Sequence, residues 1–182
     1  MRIPSKTSPQ TKQAGSVLIV CLLFMTLITM LALNSARTAS FEQKMAHGVR
    51  DLHAAFQATE SALGGGESWL EDRVARPIPE NASSACTAPC DVWVLQAKGD
   101  FPDTATKTAT WWVANGRVPV ETLATVNTQP RYLIEEQAFS PDSLTVGIGV
   151  PPGRWFYRVT SRGTGGTDDA EVLLQTSYAR RF

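Results

Sequence analysis

Residues 16–33 read SVLIVCLLFMTLITMLAL and contain no charged residue, no glycine and no proline. As an α-helix rising about 1.5 Å per residue, this stretch would be roughly 27 Å long, which nearly matches the hydrocarbon core of a bilayer. A cleaved secretory signal would have a shorter apolar region followed by a small-residue cleavage site, and residues 36–40 offer only weak candidates for one. The stretch therefore predicts a membrane-spanning helix.

The charges around this stretch indicate its orientation. Every charged residue before Glu42 is basic, and three of them, Arg2, Lys6 and Lys12, precede the apolar stretch. Because basic flanks stay in the cytoplasm, we expect the N-terminus inside and everything after Leu33 outside. Over the whole chain 17 basic residues balance 17 acidic ones, so the overall charge gives no reason to expect a nucleic-acid partner.

After the apolar stretch, an amphipathic pattern continues the helix. Large apolar residues recur at steps of three and four with alanines between them, which predicts one buried helical face. The large residues are Phe41, Met45, Val49, Leu52, Phe56 and Leu63. The run Gly64–Gly66 lowers helix propensity by about 1 kcal/mol per residue and would end or bend the helix. Pro77 is a firm stop, so we expect the amphipathic helix to cover residues 34–76.

The last fifty residues have the composition of strands. Three β-branched or aromatic runs are bounded by Pro and Gly clusters, as in an antiparallel sheet: RYLIEEQAF from Arg131, RWFYRVTSR from Arg154 and AEVLLQTSYA from Ala170. Between residues 80 and 130, DVWVLQA from Asp91 and TATWWVA from Thr108 each fit a strand or a short helix. The predicted fold class is α+β, with a long N-terminal helix packed on a C-terminal antiparallel sheet in a globular head of residues 77–182.

The chain has three cysteines, an odd number for a domain outside the cytoplasm. Cys21 lies in the apolar stretch, where a small apolar side chain is ordinary. Cys86 and Cys90 frame the sequence CTAPC, and an oxidising compartment favours a disulfide between them. Such a short loop would stabilise the head by about 2 kcal/mol. A zinc site is disfavoured because it needs four ligands, and no other cysteine or histidine lies near Cys86 and Cys90 in the sequence.

The remaining polar motifs predict no chemistry. His47 and His53 are six residues apart on a helix, so they point in different directions and cannot chelate one ion together. RGTGGTDD from Arg162 lacks the lysine of a phosphate loop and reads as a hairpin turn. No nucleophile, base and orienting group converge in the sequence. We therefore expect no enzyme activity, no catalytic residues, no cofactor and no metal.

Two of the five tryptophans are adjacent. In a strand, one of Trp111 and Trp112 must face outward, so the pair is a candidate contact with a partner protein. Trp69 and Trp155 are instead expected in the core, where the helix meets the sheet.

Four segments together resemble the PilX group of type IV pilus minor pilins. They are AGSVLIVCLLFMTLITMLAL from Ala14, RTASFEQKMAHGVRDLHAAFQATESAL from Arg37, QPRYLIEE from Gln129 and WFYRVTSRGTGGTDDAEVLLQTSY from Trp155. The resemblance implies a type IV pilin-like fold in which residues 1–15 are a leader peptide and residues 16–33 are the transmembrane helix. It also implies that a prepilin peptidase cuts between Gly15 and Ser16 and methylates the new N-terminus. A glycine suits that position because it lets the backbone leave the helix at the membrane surface.

The chain departs from the pilin pattern at Val20. Most pilins have a glutamate at this fifth mature position, where it meets the N-terminal amine of a neighbouring subunit. The K-type minor pseudopilin of type II secretion similarly lacks the glutamate and caps its filament. The resemblance therefore implies a subunit at or near the pilus tip.

The resemblance also implies partners and a location. The expected partners are other minor pilins, the major pilin, the prepilin peptidase, the inner-membrane assembly platform and the lipid bilayer. The protein would prime pilus assembly from the bacterial inner membrane, with its head in the periplasm, and then contribute to the pilus and to adhesion. Two alternatives stay open: a pseudopilin capping a type II secretion filament, and a signal-anchored periplasmic domain that retains residues 1–15.

Overall fold

The computed structural model describes residues 16–80, 90–94, 106–142 and 151–182. Its elements are helix α1 (Ser16–Glu71), helix α2 (Ala109–Asn115) and strands β1 (Arg131–Pro141), β2 (Gly153–Thr164) and β3 (Glu171–Arg180). The α+β prediction of a long N-terminal helix and a C-terminal antiparallel sheet is confirmed. Helix α1 ends at Glu71, five residues before the predicted end at residue 76.

The three strands lie where the β-branched and aromatic runs predict them. They form one sheet in the order β1-β2-β3, and both pairs are antiparallel. In β1 the register shifts between Glu136 and Ala138, which marks a β-bulge opposite Tyr157 and Phe156. The turn between β2 and β3 is the Gly-rich hairpin that the sequence predicts.

The chain divides into two compact units, Met1–Ala46 and His47–Phe182. In the first unit the described residues are the helical residues 16–46, all of which are exposed. The second unit contains the C-terminal part of α1, the sheet and α2. From here on, the head means this unit, His47–Phe182, and not only the predicted residues 77–182.

Within the head, α1 buries small residues. Ala55, Ala58, Thr59, Ala62 and Gly66 are buried, together with Leu70 near the end of the helix. The predicted burial is wrong for five of the six large apolar residues: Phe41, Met45, Val49, Leu52 and Phe56 are exposed, at 64%, 63%, 64%, 52% and 39%. The sixth, Leu63, is partly buried. Periodicity indicates that a face is apolar, but it does not show which surface covers that face.

Two glycines explain why the small face is buried. A Cβ at Gly66 would lie 2.6 Å from Cγ1 of Val159, and a Cβ at Gly163 would lie 2.8 Å from the backbone nitrogen of Thr59. Because glycine has a hydrogen in place of a Cβ, these two positions let α1 and strand β2 approach more closely than any other residue would permit. The expectation that Gly64–Gly66 would end α1 is wrong, because the helix runs through all three glycines.

The core consists of two clusters. The first joins α1 to one face of the sheet through Ala62, Leu70, Val92, Tyr132, Ile134, Tyr157 and Val159. Trp69 and Trp155 pack against this cluster but are only partly buried. The second contains Cys90, Trp93, Trp112 and Leu133. Burial raises the pKa of Tyr157 to about 12, with a further contribution from Glu136, so this phenol is neutral at physiological pH.

The end of α1 is tied to β3 by a single arginine. The last turn of the helix contains no basic side chain that could satisfy its last carbonyls. The guanidinium of Arg180 donates to the carbonyl of Leu70 and, at 2.6 Å, to the carbonyl of Arg73. A cation from the sheet thus caps the negative end of the helix.

Candidate functional site

The apolar first half of α1 is exposed along its whole length. Among the described residues, one helix is long and apolar enough to cross a membrane, with a mean hydropathy of 2.7 in its most apolar window and none of that window buried. Leu18, Met25, Met30 and Leu31 are each about 70% exposed or slightly more. Transfer of such apolar side chains from water into lipid lowers the free energy, so the segment fits a membrane anchor.

The predicted processing site lies at the beginning of this helix. Ser16 is the first residue of α1, whereas Gly15 lies outside the described residues. Val20 is within the helix and 49% exposed. Cleavage between Gly15 and Ser16 and the role of Val20 stay predictions.

A stripe of large apolar side chains continues along α1 after the membrane segment. We call Phe41, Met45, Val49, Leu52 and Phe56 the apolar stripe. Its members recur at steps of three and four and are all exposed. Its three members in the head, Val49, Leu52 and Phe56, lie on one side of the helix, next to the small face that packs on the sheet. An exposed apolar surface of this kind marks a site of contact with another protein or with lipid.

The structure describes one of the two cysteines of the predicted disulfide. Cys90 is buried in the second core cluster, beside Trp93 and Trp112. Cys86 lies outside the described residues, so the Cys86–Cys90 pairing stays a prediction.

Trp111 and Trp112 lie in helix α2 and not in a strand. The helix begins because the hydroxyl of Thr108 accepts a hydrogen bond from the backbone nitrogen of Trp111, an N-cap. Trp112 is fully buried, so it is not the outward-facing member of the pair. Adjacent residues on a helix point about 100° apart, which leaves Trp111 partly exposed beside Lys107 and keeps it as a candidate.

The turn between β2 and β3 is fixed to α1 by Asp51. The carboxylate accepts hydrogen bonds from the backbone nitrogens of Gly166, at 2.6 Å, and Thr167, at 3.2 Å, and from the Thr167 hydroxyl. This clamp was not predicted from the sequence, because its partners are 115 residues apart. The only local signal was a turn whose glycine and threonine nitrogens need acceptors.

A second carboxylate holds the other side of the same turn. Asp168 accepts from the amide of Asn127 at 2.7 Å and from the hydroxyl of Thr128 at 2.8 Å. These bonds hold the pKa of Asp168 below its usual range. Asp168 therefore binds the turn to Asn127 and Thr128, and each of its two carboxylate oxygens accepts a hydrogen bond from a neutral donor.

An open cleft borders the Asp51 clamp. Its polar lining includes two imidazoles and a guanidinium, and both histidines are exposed. Its lining includes His47, Arg50, Asp51, His53 and Gln57. In the described ranges, no group of three or more His, Cys, Asp or Glu residues is placed to hold a metal ion.

The Asp51→Asn variant is expected to loosen the turn. The Thr167 hydroxyl, followed by the backbone nitrogens of Thr167 and Gly166, lowers the pKa of Asp51 from 3.8. A lowered folded-state pKa means that the clamp stabilises the head above pH 3.8 and is lost as the pH falls through the folded value. Amide hydrogen exchange should show Gly166 and Thr167 protected at neutral pH in the native chain and less protected in the variant.

Asp169→Asn is the matched control, because it removes a carboxylate from the same turn without removing an Asp51 bond. Protection of both amides should survive in the control. Unchanged protection in Asp51→Asn would show that something other than the carboxylate holds the turn.

Comparison with known proteins assigns most of the chain. A family model described as PilX N-terminal matches residues 14–63. A second model, described as type IV pilus assembly protein PilX C-term, matches residues 75–180. Searches of curated proteins and of solved structures found no match. The two family matches cover both the exposed helix and the head.

Proposed function

Because the chain belongs to the PilX family of type IV pilus assembly proteins, we propose that it is a minor pilin that primes pilus assembly. In this proposal the prepilin peptidase cuts between Gly15 and Ser16, and residues 16–33 anchor the product in the inner membrane. The periplasmic head joins a complex of minor pilins on the assembly platform. That complex is then extended by the major pilin.

The apolar stripe is the observation that carries this proposal. A helix that only had to fold with its own head would bury its largest apolar residues there. Helix α1 buries Leu70 near its end, but before that it buries Ala55, Ala58 and Ala62 and exposes Val49, Leu52 and Phe56 of the stripe. Burying an exposed aliphatic side chain in a contact yields about 1.5–3 kcal/mol, so the stripe favours assembly with other apolar helices.

Val20 supports a position at or near the tip. A buried glutamate in a filament core would need a cationic partner, such as the N-terminal amine of an adjacent subunit. The uncharged Val20 side chain needs no cationic partner, and it cannot pair with the N-terminal amine of a neighbouring subunit. We propose that the subunit starts the filament and is not repeated along the shaft. Trp111 is the candidate surface for a contribution to adhesion.

The test is the N-terminus and intact mass of the mature protein, isolated from membranes of cells with and without the prepilin peptidase. We expect a chain that begins at Ser16, carries an N-terminal methyl group, and is found only when the peptidase is present. Gly15→Val should block the cut, whereas Ala14→Val, a matched β-branched substitution one residue earlier, should allow it. A mature chain that retains Met1 would instead support the signal-anchored alternative.

Deletion of the chain supplies the second measurement. Surface pili should be lost and should return with the native chain. Normal piliation combined with a block in protein secretion would contradict the proposal and favour the pseudopilin.

A further inference from the structure

The two edge strands of the sheet, β1 and β3, differ in whether their outward backbone groups have hydrogen-bond partners among the described residues. Arg117 and Tyr132 exchange two backbone hydrogen bonds, at 2.9 and 2.8 Å, on the outer side of β1. On the same side, the nitrogen of Trp93 donates to Ile134 at 2.8 Å and its carbonyl accepts from Glu136 at 2.9 Å. The outward backbone groups of β1 are therefore covered by the chain itself.

The outward groups of β3 can be identified from the ladder. The nitrogen of Gly165 donates to the carbonyl of Ala170 at the turn, and Thr164 pairs with Glu171. Because antiparallel pairs alternate, even-numbered residues of β3 bond to β2 and odd-numbered ones point outward. The outward residues are Leu173, Gln175, Ser177 and Ala179. Within the described ranges, no backbone hydrogen bond outside the β2 ladder reaches them.

Strand β3 also lacks the features that protect an open edge. Edge strands usually avoid pairing by being short or by carrying charged side chains, a proline or a bulge. The two charged side chains of β3, Glu171 and Arg180, lie at its ends and are bonded to Arg162 and to the Leu70 carbonyl. Strand β3 has ten residues, EVLLQTSYAR, with no lysine and no proline, and it pairs with β2 without a register shift. The bulge lies in β1, whose edge is already covered.

We propose that the outer edge of β3 binds an extended strand of a different subunit of the pilus assembly, which adds a fourth strand to the sheet. This rests on the proposed function. Outward N–H and C=O groups recur every second residue, about 7 Å apart, and an extended polypeptide presents matching groups at the same spacing. Backbone pairing would hold the incoming strand, and exposed Gln175 and Ser177 would contact its side chains.

The direction of β3 argues against a second copy of this chain. Near its start, the carbonyl of Val172 accepts from Thr59, and near its end Arg180 donates to Leu70, so β3 runs along α1 in the same direction. Two copies joined through the same edge would be related by a two-fold axis, with antiparallel strands and oppositely directed α1 helices. In the paired heads, the residue-47 ends of the two helices would then point in opposite directions, which disfavours a pair whose two chains both continue from that end into one membrane.

The test compares Ser177→Pro with Ser177→Ala in the full chain, co-expressed with the other pilins. Proline removes the outward N–H and places its ring on the edge, while the bonds to β2 come from even-numbered neighbours. We expect Ser177→Pro to reduce co-purification of another pilus subunit by about tenfold or more, because a backbone bond is lost and the approach is blocked. Ser177→Ala should bind as the native chain does. Equal binding by both variants would overturn the proposal.

A crosslinking measurement does not depend on how well the proline variant folds. Benzoylphenylalanine at position 175 should, on illumination in cells, form an adduct with a minor or major pilin identified by mass spectrometry. An adduct between two copies of this chain, or no adduct, would overturn the proposal. Piliation that needs the chain yet tolerates Ser177→Pro would reject the strand addition alone, whereas normal piliation without the chain would reject the proposed function.

Discussion

Gly163→Ala is expected to destabilise the head by about 3 kcal/mol, because overpacking a tight contact costs that much when the neighbours cannot move aside. The new Cβ would lie 2.6 Å from the Thr59 hydroxyl oxygen, 2.8 Å from the Thr59 nitrogen and 3.0 Å from the Ala55 carbonyl oxygen. Two of these are backbone atoms of α1, so a rotamer change cannot relieve the clash. Urea unfolding of the full chain in detergent, followed by tryptophan fluorescence, measures the loss.

Glycines within α1 supply matched controls. Gly64→Ala adds a methyl group with no atom within 4 Å and should stabilise the helix by up to about 1 kcal/mol. Gly66→Ala makes the same change two residues later, but its Cβ would meet Val159 at 2.6 Å and Tyr132 at 3.0 Å. It should therefore destabilise the head. If Gly64→Ala and Gly66→Ala shifted the midpoint in the same direction, close approach would not be the reason for the glycine at position 66.

Met45→Glu is expected to reduce surface pili by at least about tenfold while leaving the head as stable as before. Met45 is 63% exposed in the isolated chain, so a carboxylate there remains in water. In a filament that buries the apolar stripe, an unpaired carboxylate would cost several kcal/mol. Piliation is counted by electron microscopy, and urea unfolding monitors the head.

Gln43→Glu is the control for charge. Residues 43 and 45 are about 200° apart around the helix, so Gln43 lies roughly opposite the stripe and is also exposed. It adds the same negative charge two residues away and should permit normal piliation. Wild-type piliation in Met45→Glu would mean that the stripe is not an assembly surface.

The elements with a strong local pattern were predictable from the sequence. A run of apolar residues without proline or glycine specifies a helix in a membrane, and β-branched runs between Gly and Pro clusters specify strands, because each depends on neighbouring residues alone. The type IV pilin-like fold and the family followed from the same segments. Trp111 and Trp112 were ambiguous because seven residues can form either element, and the cap by Thr108 decided for a helix.

The sequence by itself determined where the helix and the three strands lie and which segment prefers lipid to water, since those properties are read from local periodicity and side-chain chemistry. The tertiary structure alone decided which face of α1 meets the sheet, which of Trp111 and Trp112 is buried, and which sheet edge has no backbone partner among the described residues. Those outcomes depend on how closely distant segments can approach. Gly66 and Gly163 allow an approach in which small residues fit, and the apolar stripe is left on the outside. No local pattern encodes that fit, because the contacting residues are as far apart in sequence as Thr59 and Val172.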